Sequence, residues 1–275
     1  MTQTLSMFDL TNKTALITGG GGLLGPKHAE AILDCGGSVI LSDIDIDAAE
    51  SAAKNLNKIY SNRVSVVYMD VTSPESIRSV LSSNVPIDIL INNAAKDPKI
   101  KKGNNSLGLE TRFESMSFDY FRSEIDVIVN GTFLCSQAVI SQLLDRNAEG
   151  VILNIASDLS VIAPDQRIYQ KKDVAWCHQP VKPITYSAAK WSVLGMTKYL
   201  AVYFAEKKIR VNCLSPTGVF NDHPEDFVTK LSNIIPMGRM AHIDEYKGAI
   251  AFLCSSASSY MTGHNLVIDG GKTVW

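Results

Sequence analysis

A tyrosine and a lysine four positions apart are the residues of this sequence whose types and spacing most clearly suggest chemistry. Tyr186 and Lys190 lie near the start of a predicted helix, Ile184–Lys207, and the i,i+4 spacing places both on one face. A tyrosine with a pKa near 10 is a poor base at neutral pH, and bringing that value to about 7 takes about 4 kcal/mol. A nearby ammonium group favours the phenolate and so lowers the pKa. The pair predicts proton transfer at a substrate oxygen, although long helices also contain this spacing by chance.

A glycine-rich stretch, ITGGGGLLG at Ile17–Gly25, lies between a strand-like run and a helix-like run. Gly20, Gly22 and Gly25 spell G-x-G-x-x-G, the pattern of a tight turn that lets a pyrophosphate approach the backbone at a helix N-terminus. The Walker pattern fits poorly, because Pro26 stands where that pattern requires lysine. The stretch predicts a nucleotide site, with a merely flexible turn as the alternative.

The second predicted strand is followed by a carboxylate. Asp43 comes 18 positions after Gly25, close to the spacing at which a carboxylate binds the ribose hydroxyls of NAD. It would also repel the 2′-phosphate of NADP, and no Arg or Lys stands at positions 20–25 or 44 to neutralise that phosphate. The residue therefore favours NAD as the cofactor. The alternative is that Asp43 only caps a helix or turn, as Asp45 or Asp47 could also do.

Apolar runs of strand length alternate with helix-like patterns along the whole chain. The runs are rich in Val and Ile and continuous, which is typical of strands buried on both faces of a parallel sheet. The alternation predicts an α/β fold, a Rossmann-like, doubly wound, mostly parallel seven-stranded sheet with helices on both faces. The predicted strands are Thr14–Thr18, Ser38–Ser42, Val64–Met69, Ile87–Ile91, Val151–Ile155, Ile209–Leu214 and Asn265–Asp269.

Helical patterns fill the intervals between these strands, and no linker divides the chain. We therefore expect a single domain over residues 1–275. Two loops, Lys96–Thr111 and Asp158–Lys182, are too long to be mere connections, and loops of that length in a compact fold are often functional. The predicted helices are Lys27–Cys35, Ile46–Ile59, Pro74–Ser82, Ser117–Arg146, Ile184–Lys207 and Asp244–Cys254.

Composition excludes several classes of protein. The net charge of −2 gives no basic field for nucleic acid, and the first residues do not form a secretory signal. No stretch reaches the roughly 18 consecutive apolar residues of a membrane span. Five scattered cysteines without a C-x-x-C pair argue against a zinc site or a disulfide framework. We expect a cytoplasmic protein without a metal, acting on a small molecule.

Taken together, the motifs resemble those of the short-chain dehydrogenase/reductase family, in its compact single-domain form. The resemblance runs from about Leu10 to the C-terminus. It implies an NAD-dependent oxidoreductase that transfers hydride between nicotinamide and a secondary alcohol or ketone. The motifs that carry it are Thr18-Gly19 with Gly25, Asp70-Val71, Asn92-Asn93-Ala94-Ala95, Asn130, Ser157, Tyr186 with Lys190, Asn212 to Pro216, and Asp269-Gly270-Gly271.

The resemblance also implies roles for the matched residues. Tyr186 would be the acid/base, Lys190 would lower its pKa and hold the nicotinamide ribose, and Ser157 would hydrogen-bond the substrate oxygen. Asn130 would hold a water of the proton relay. Gly22 would approach the pyrophosphate. The implied cofactor contacts are Tyr186 and Lys190 themselves, with Gly19, Gly22, Leu24, Gly25, Asp43, Asp70, Val71, Asn92, Ala94 and Val219.

The sequence departs from the family pattern at several places. Leu23 replaces a glycine, which gives the loop a spacing similar to that of the nucleotide-sugar epimerase and dehydratase branch. Ala95 also replaces a glycine, and Asn221 stands where a threonine is usual. Ser157 and Tyr186 are 29 positions apart, so an insertion at about 158–182 is expected over the mouth of the active site. Its side chains Arg167, Tyr169, Lys171, Lys172, Trp176 and His178 would suit a hydroxyl-rich or anionic substrate such as a sugar derivative, unless the loop is only a lid or a subunit contact.

Two other functions stay open from the sequence. One is a sugar-modifying epimerase or lyase that uses NAD transiently, for which the Leu23 spacing argues. The other is a catalytically silent NAD-binding protein, although such relatives usually lose the tyrosine or the lysine. The family commonly assembles through its two long helices, so the resemblance also implies a homo-oligomer, a dimer or a tetramer.

Overall fold

The computed structural model describes residues 3–82, 85–97, 100–101, 104–105 and 107–275. Seven parallel strands form one sheet in the order β3-β2-β1-β4-β5-β6-β7, which confirms the predicted doubly wound architecture. The strands are β1 (Thr14–Thr18), β2 (Ser38–Asp43), β3 (Val64–Tyr68), β4 (Ile89–Asn92), β5 (Gly150–Ile155), β6 (Ile209–Pro216) and β7 (Asn265–Ile268).

Helices cover both faces of this sheet, because the central strands bury apolar side chains on both sides. In β1, Ala15 and Ile17 pack into one core cluster and Leu16 into the other. Helices α2, α3 and α9 contribute to the first cluster, and α4, α6 and α7 to the second. The helices are α1 (Gln3–Ser6), α2 (Gly25–Asp34), α3 (Ile46–Tyr60), α4 (Pro74–Leu81), α5 (Phe118–Ile125), α6 (Gly131–Asp145), α7 (Ile184–Tyr203), α8 (Glu225–Ser232) and α9 (Lys247–Cys254).

The helix predicted at Ser117–Arg146 is interrupted by one wide turn. A π-helical turn, Asp126–Asn130, joins α5 to α6 and rotates the residues on either side of it relative to a regular helix. Among the described residues, Phe118–Asp145 is the one helical run that is long and apolar enough, by length and composition alone, to cross a membrane. Its side chains at Cys135, Val139 and Leu143 pack against the sheet, as those of a core helix do.

The two long loops differ in how far they can be described. In the loop predicted at Lys96–Thr111, positions 98, 99, 102, 103 and 106 lie outside the described residues; Ile100–Lys101 pairs with Asn104–Asn105 in an antiparallel ribbon. The insertion over 158–182 contains three short 3₁₀ turns, Asp158–Ser160, Gln166–Tyr169 and Trp176–His178. Helix α8, which the pattern analysis did not predict, packs against the second of these turns through Leu231 and Ile168.

Parallel strands bring the sequence motifs together at one edge. The loops that follow β1, β2, β3, β4, β5 and β6 all leave the carboxyl edge of the sheet. The strand order reverses between β1 and β4, and open α/β sheets bind ligands in the crevice at such a point.

Candidate active site

The glycine loop after β1 is shaped by close backbone contacts. Gly19 has φ of +63°, a conformation that favours glycine, and a Cβ there would lie 2.9 Å from Ala94 Cα. A Cβ on Gly25 would lie 2.6 Å from the carbonyl oxygen of Gly20, so Gly25 lets the start of α2 approach the loop. Gly22 is exposed, and a Cβ there would meet only the Gly19 oxygen, at 3.2 Å. Gly25 therefore allows α2 to pack closely against the glycine loop, whereas Gly22 faces open space.

Asp43 is positioned by the glycine loop rather than by a helix end. Its Oδ2 accepts the Gly21 N–H at 2.9 Å and its Oδ1 accepts the Asp45 N–H at 3.0 Å. The cap of α3 is Asp45, whose side chain accepts the Ala48 N–H at 3.0 Å. Asp43 is therefore not the helix cap, but the bond to the Asp45 N–H does cap the turn after β2, as the alternative expected. Asp43 also joins the end of β2 to the glycine loop.

The end of β4 is tied to the glycine loop by Asn93. Its Nδ2 donates to the carbonyl oxygens of Thr18 and Gly19, both at 3.0 Å, while Thr18 Oγ1 accepts the N–H groups of Asn93 and Ala94. Asn92, by contrast, is buried and donates to Ser136 Oγ and Asn154 Oδ1. The structure thus does not bring the Asn92 side chain to the adenosine side as expected; its neighbour Asn93 lies there.

These loops enclose a cavity at the crevice between β1 and β4. It is lined by nine of the residues assigned to the cofactor, Asp43 and Tyr186 among them. Gly25 and Val219 are not among its lining residues; Val219 lines the neighbouring cavity instead. An exposed glycine, a carboxylate and a helix N-terminus along one groove fit a dinucleotide. The nine are Gly19, Gly22, Leu24, Asp43, Asp70, Val71, Ala94, Tyr186 and Lys190.

Lys190 is a buried residue in the lining of this cavity. Its Nζ donates to the Ile155 carbonyl oxygen at 2.7 Å and lies 5.6 Å from the centroid of the Tyr186 ring. Burial lowers the pKa of Lys190 to about 8, and the nearby Lys182 ammonium acts in the same direction. The predicted tyrosine and lysine therefore do meet at one site.

The Tyr186 side chain lines two adjoining cavities, the one described above and a second beside the insertion. Burial is the main reason that the pKa of Tyr186 is raised well above its ordinary value, and the Asp97 carboxylate raises it further. The hydrogen bond with Ser157 acts in the opposite direction. Because burial opposes the phenolate, a base role for Tyr186 requires positive charge nearby.

Ser157 is held by a buried ion pair. Its hydroxyl donates to Asp158 Oδ1 at 2.8 Å, and Asp158 Oδ2 accepts from Lys272 Nζ and from Thr217 Oγ1, both at 2.7 Å. The side chains of Asp158 and Lys272 are 5% and 8% exposed. Lys272 follows the Asp-Gly-Gly ending, so the C-terminal segment reaches into the site; no sequence motif indicated this.

Asn130, unlike the other predicted catalytic residues, lines neither of the two cavities. It is the last residue of the π-helical turn, it is exposed, and its Nδ2 donates to Asp126 Oδ1 at 2.8 Å. The same helical segment contributes Val127 to the cofactor cavity. The wide turn places Asn130 at the surface, and the role of Asn130 in holding a water of a proton relay stays a prediction.

The second cavity, of about 240 Å³, is the candidate substrate site. Of the six insertion side chains expected at its rim, only Tyr169 lines it; Arg167 pairs with Asp165, and Trp176 contacts Arg112. Leu23, which replaces the family glycine, lines this cavity as well as the cofactor cavity. Polar residues that were not predicted complete the lining: Asp97, Asp158, Lys182, Thr217, His223 and Lys272, with Asn221 beside them.

Among the described residues, no group of three or more His, Cys, Asp or Glu side chains could hold a metal ion. The five cysteines are free thiols.

The chain and its structure are similar to those of known proteins. A family model described as enoyl-(acyl carrier protein) reductase matches residues 24–273. The chain is 30% identical over 276 residues to the NAD-dependent glycerol dehydrogenase of Listeria innocua, with 97% of this chain and 96% of that protein covered. A short-chain type dehydrogenase/reductase from Mycobacterium marinum has a TM-score of 0.84 at 30% identity, covering 99% of this chain and 100% of that one. A gluconate 5-dehydrogenase from Burkholderia cenocepacia, in complex with NADP and tartrate, has a TM-score of 0.83 at 25% identity, covering 99% and 100%.

The chain therefore belongs to the short-chain dehydrogenase/reductase family, as its motifs predicted. It is an oxidoreductase that uses a nicotinamide cofactor, NAD or NADP, and transfers hydride between that cofactor and a secondary alcohol or ketone.

Proposed function

We propose that this protein is an NAD-preferring dehydrogenase of a small, uncharged polyhydroxy compound. The observation that carries the proposal is the charge balance of the cavity beside Tyr186. Its lining contains two carboxylates and two ammonium groups, and these form two ion pairs, Asp97–Lys182 and Asp158–Lys272.

Such a lining favours hydroxyl groups over other substrate chemistries. A hydroxyl can donate to a carboxylate and accept from an ammonium group, so it can bind to either member of a pair. A substrate carboxylate would need a cation whose charge is not already balanced. A long acyl chain would need more room than a cavity of about 240 Å³ offers. The modest volume and the two balanced ion pairs therefore support a small polyol or sugar, whose carbon skeleton would contact apolar side chains such as Ile168, Phe227 and Leu231. The glycerol dehydrogenase to which the chain is similar is in line with this substrate class.

In the direction of alcohol oxidation, the side chains have distinct tasks. The Tyr186 phenolate takes the proton of the reacting hydroxyl, while the Ser157 O–H turns from Asp158 Oδ1 and donates to the same oxygen, which fixes its position. Bound NAD supplies the hydride acceptor, and its positively charged nicotinamide favours the phenolate. Lys190, fixed by the Ile155 carbonyl oxygen, adds a cation close to the Tyr186 ring. In ketone reduction the same groups work in reverse, with Tyr186 as the acid.

A substrate panel tests the proposal directly. We expect NADH formation with polyols and neutral sugars, and slower turnover of sugar acids with the same carbon skeleton, of hydroxysteroids and of acyl thioesters. Preference for the sugar acids would contradict the argument from charge balance. A product formed without net NADH would favour an epimerase or lyase, and NAD binding without any turnover would favour a silent NAD-binding protein.

Asp43 accounts for the proposed preference for NAD. Asp43→Asn keeps an oxygen that can accept the Gly21 N–H but removes the charge that opposes a 2′-phosphate. We expect the ratio of kcat/KM for NAD to that for NADP to fall about tenfold, which is about 1.4 kcal/mol. The matched control is Asp45→Ala, which removes the cap of α3 and should lower stability without changing the ratio. An unchanged ratio in Asp43→Asn would mean that Asp43 only supports the loop.

We also propose that the protein is a cytoplasmic homo-oligomer, from its exposed apolar side chains and its free thiols. Helix α7 exposes large apolar side chains at Trp191, Tyr199, Val202 and Tyr203, and α6 exposes Phe133. An apolar surface of this kind favours a homo-oligomer built on these helices. Five free thiols favour a reducing compartment such as the cytoplasm.

A further inference from the structure

A second lysine lies against the catalytic tyrosine, at the end of the insertion. Lys182 Nζ is 4.0 Å from the centroid of the Tyr186 ring, whereas Lys190 Nζ is 5.6 Å away. The Lys182 side chain is only 9% exposed, so water screens its charge weakly. We infer that Lys182 is a second cationic catalytic residue, delivered by the insertion, which stabilises the Tyr186 phenolate together with Lys190. The inference depends on the proton-transfer role of Tyr186 in the proposed function.

The insertion fixes the position of this lysine. The Gln166 side chain accepts the Lys182 N–H at 2.9 Å and donates to the Lys182 carbonyl oxygen at 3.0 Å. These two bonds clamp the backbone of Lys182 immediately before α7 begins at Ile184. The ammonium group is in turn bonded to the Asp97 carboxylate, on the loop after β4. Backbone and side chain are thus both held, which is what a preorganised charge requires.

Lys182 and Asp97 act on Tyr186 in opposite directions. A cation over an aromatic ring is attracted to its electron-rich face, and the attraction grows when the phenol becomes a phenolate. The Asp97 carboxylate, which lines both cavities, raises the pKa of Tyr186. The pair therefore sets the proton affinity of the tyrosine through the balance of its two charges. The charged and titratable groups that face Tyr186 are Lys182, Lys190, Asp97, Asp158 and Tyr169.

Opposite substitutions should therefore shift the titration of Tyr186 in opposite directions. Lys182→Met should raise the midpoint by about one pH unit and Asp97→Asn should lower it by about one unit. The double variant should titrate close to the unmodified protein, and Lys182→Arg, which keeps the charge, should do the same. A lysine that only supported the fold would not produce two shifts of opposite sign.

The test is a spectroscopic titration of tyrosinate absorbance with NAD bound and without substrate, because the charge of the bound cofactor brings the Tyr186 titration to lower pH. The difference spectrum against Tyr186→Phe isolates Tyr186, and Lys172→Met is the control, because Lys172 is an exposed lysine of the same insertion. No shift in Lys182→Met, or shifts of the same sign in Lys182→Met and Asp97→Asn, would overturn the inference. If Lys182→Met fails to fold, Lys182→Gln, which also removes the charge but keeps a polar side chain, takes its place, and the same outcomes decide.

The titration needs no turnover, so it separates this inference from the proposed function. A negative substrate panel with opposite titration shifts would reject the substrate class and keep the role of Lys182. Where a substrate is found, the pH profile of kcat should move to higher pH in Lys182→Met and to lower pH in Asp97→Asn.

Discussion

Replacing Tyr186 by phenylalanine is expected to lower kcat by about 10³-fold while leaving the fold and the binding of NAD intact. The ring keeps its place under Lys182 and Lys190, since the contacts of both ammonium groups are measured to the ring centroid. Only the hydroxyl that hydrogen-bonds Ser157 is lost, and with it the group that exchanges a proton with substrate. Because the interaction is made in the transition state, kcat and kcat/KM should fall together.

Steady-state kinetics on the best substrate of the panel would measure this, with NAD binding followed by quenching of protein fluorescence. The matched control is Tyr169→Phe. Tyr169 lines the same cavity, and its ring packs on Phe227 with centroids 5.7 Å apart, so the loss of its hydroxyl should change KM more than kcat. Retention of a tenth or more of kcat in Tyr186→Phe would show that another group transfers the proton.

The fold was predictable because its signals are local. Each central strand is a short, continuous apolar run, since side chains such as Leu16 and Ile17 are buried on opposite faces of the sheet. Parallel strands joined by helices can be arranged in few ways. The short helix α8 was not predicted, because its side chains pack against the insertion and against Ile235 and Met240, not in the two clusters that cover the sheet.

The site was predictable where spacing along the chain fixes spacing in space. Tyr186 and Lys190 meet because one helical turn separates them, and Asp43 reaches the glycine loop because both leave the same edge of the sheet. The surroundings of Asn130 could not be predicted from spacing, because one wide turn changes the face of the helix on which it lies. Asn93 lines the cofactor cavity and Asn92 does not, because neighbouring residues at the end of a strand point to opposite sides.

The polar lining of the substrate cavity could not be predicted from spacing. Asp97 pairs with a lysine 85 positions away, and Asp158 pairs with one 114 positions away. Neither pair belongs to a motif, so only the folded chain brings the charges together. Leu23 is related to this lining: it stands where the family has glycine, and its side chain lies between the cofactor cavity and the substrate cavity.

Replacing Lys272, the cation of the buried Asp158–Lys272 pair, should have the largest effect on stability. Lys272→Met leaves the Asp158 carboxylate buried without its cation, which typically costs about 3–5 kcal/mol. Asp158 would keep only the neutral donors Ser157, Thr217 and the Leu159 N–H. We expect a large drop in the midpoint of urea unfolding, together with a lower kcat, because Asp158 positions Ser157.

The double variant Asp158→Asn/Lys272→Met separates two causes of the lost stability: the missing attraction within the pair and the burial of a carboxylate without a cation. With both charges removed, no ion remains buried, so most of the stability should return, although Ser157 loses its charged acceptor and kcat should stay low. The control is Lys208→Met, which breaks the exposed Lys208–Glu149 pair and should leave the unfolding midpoint unchanged. If the double variant were no more stable than Lys272→Met, the burial of a lone carboxylate would not be the cause. The return of stability without the return of kcat would show that this pair serves the active site more than the fold.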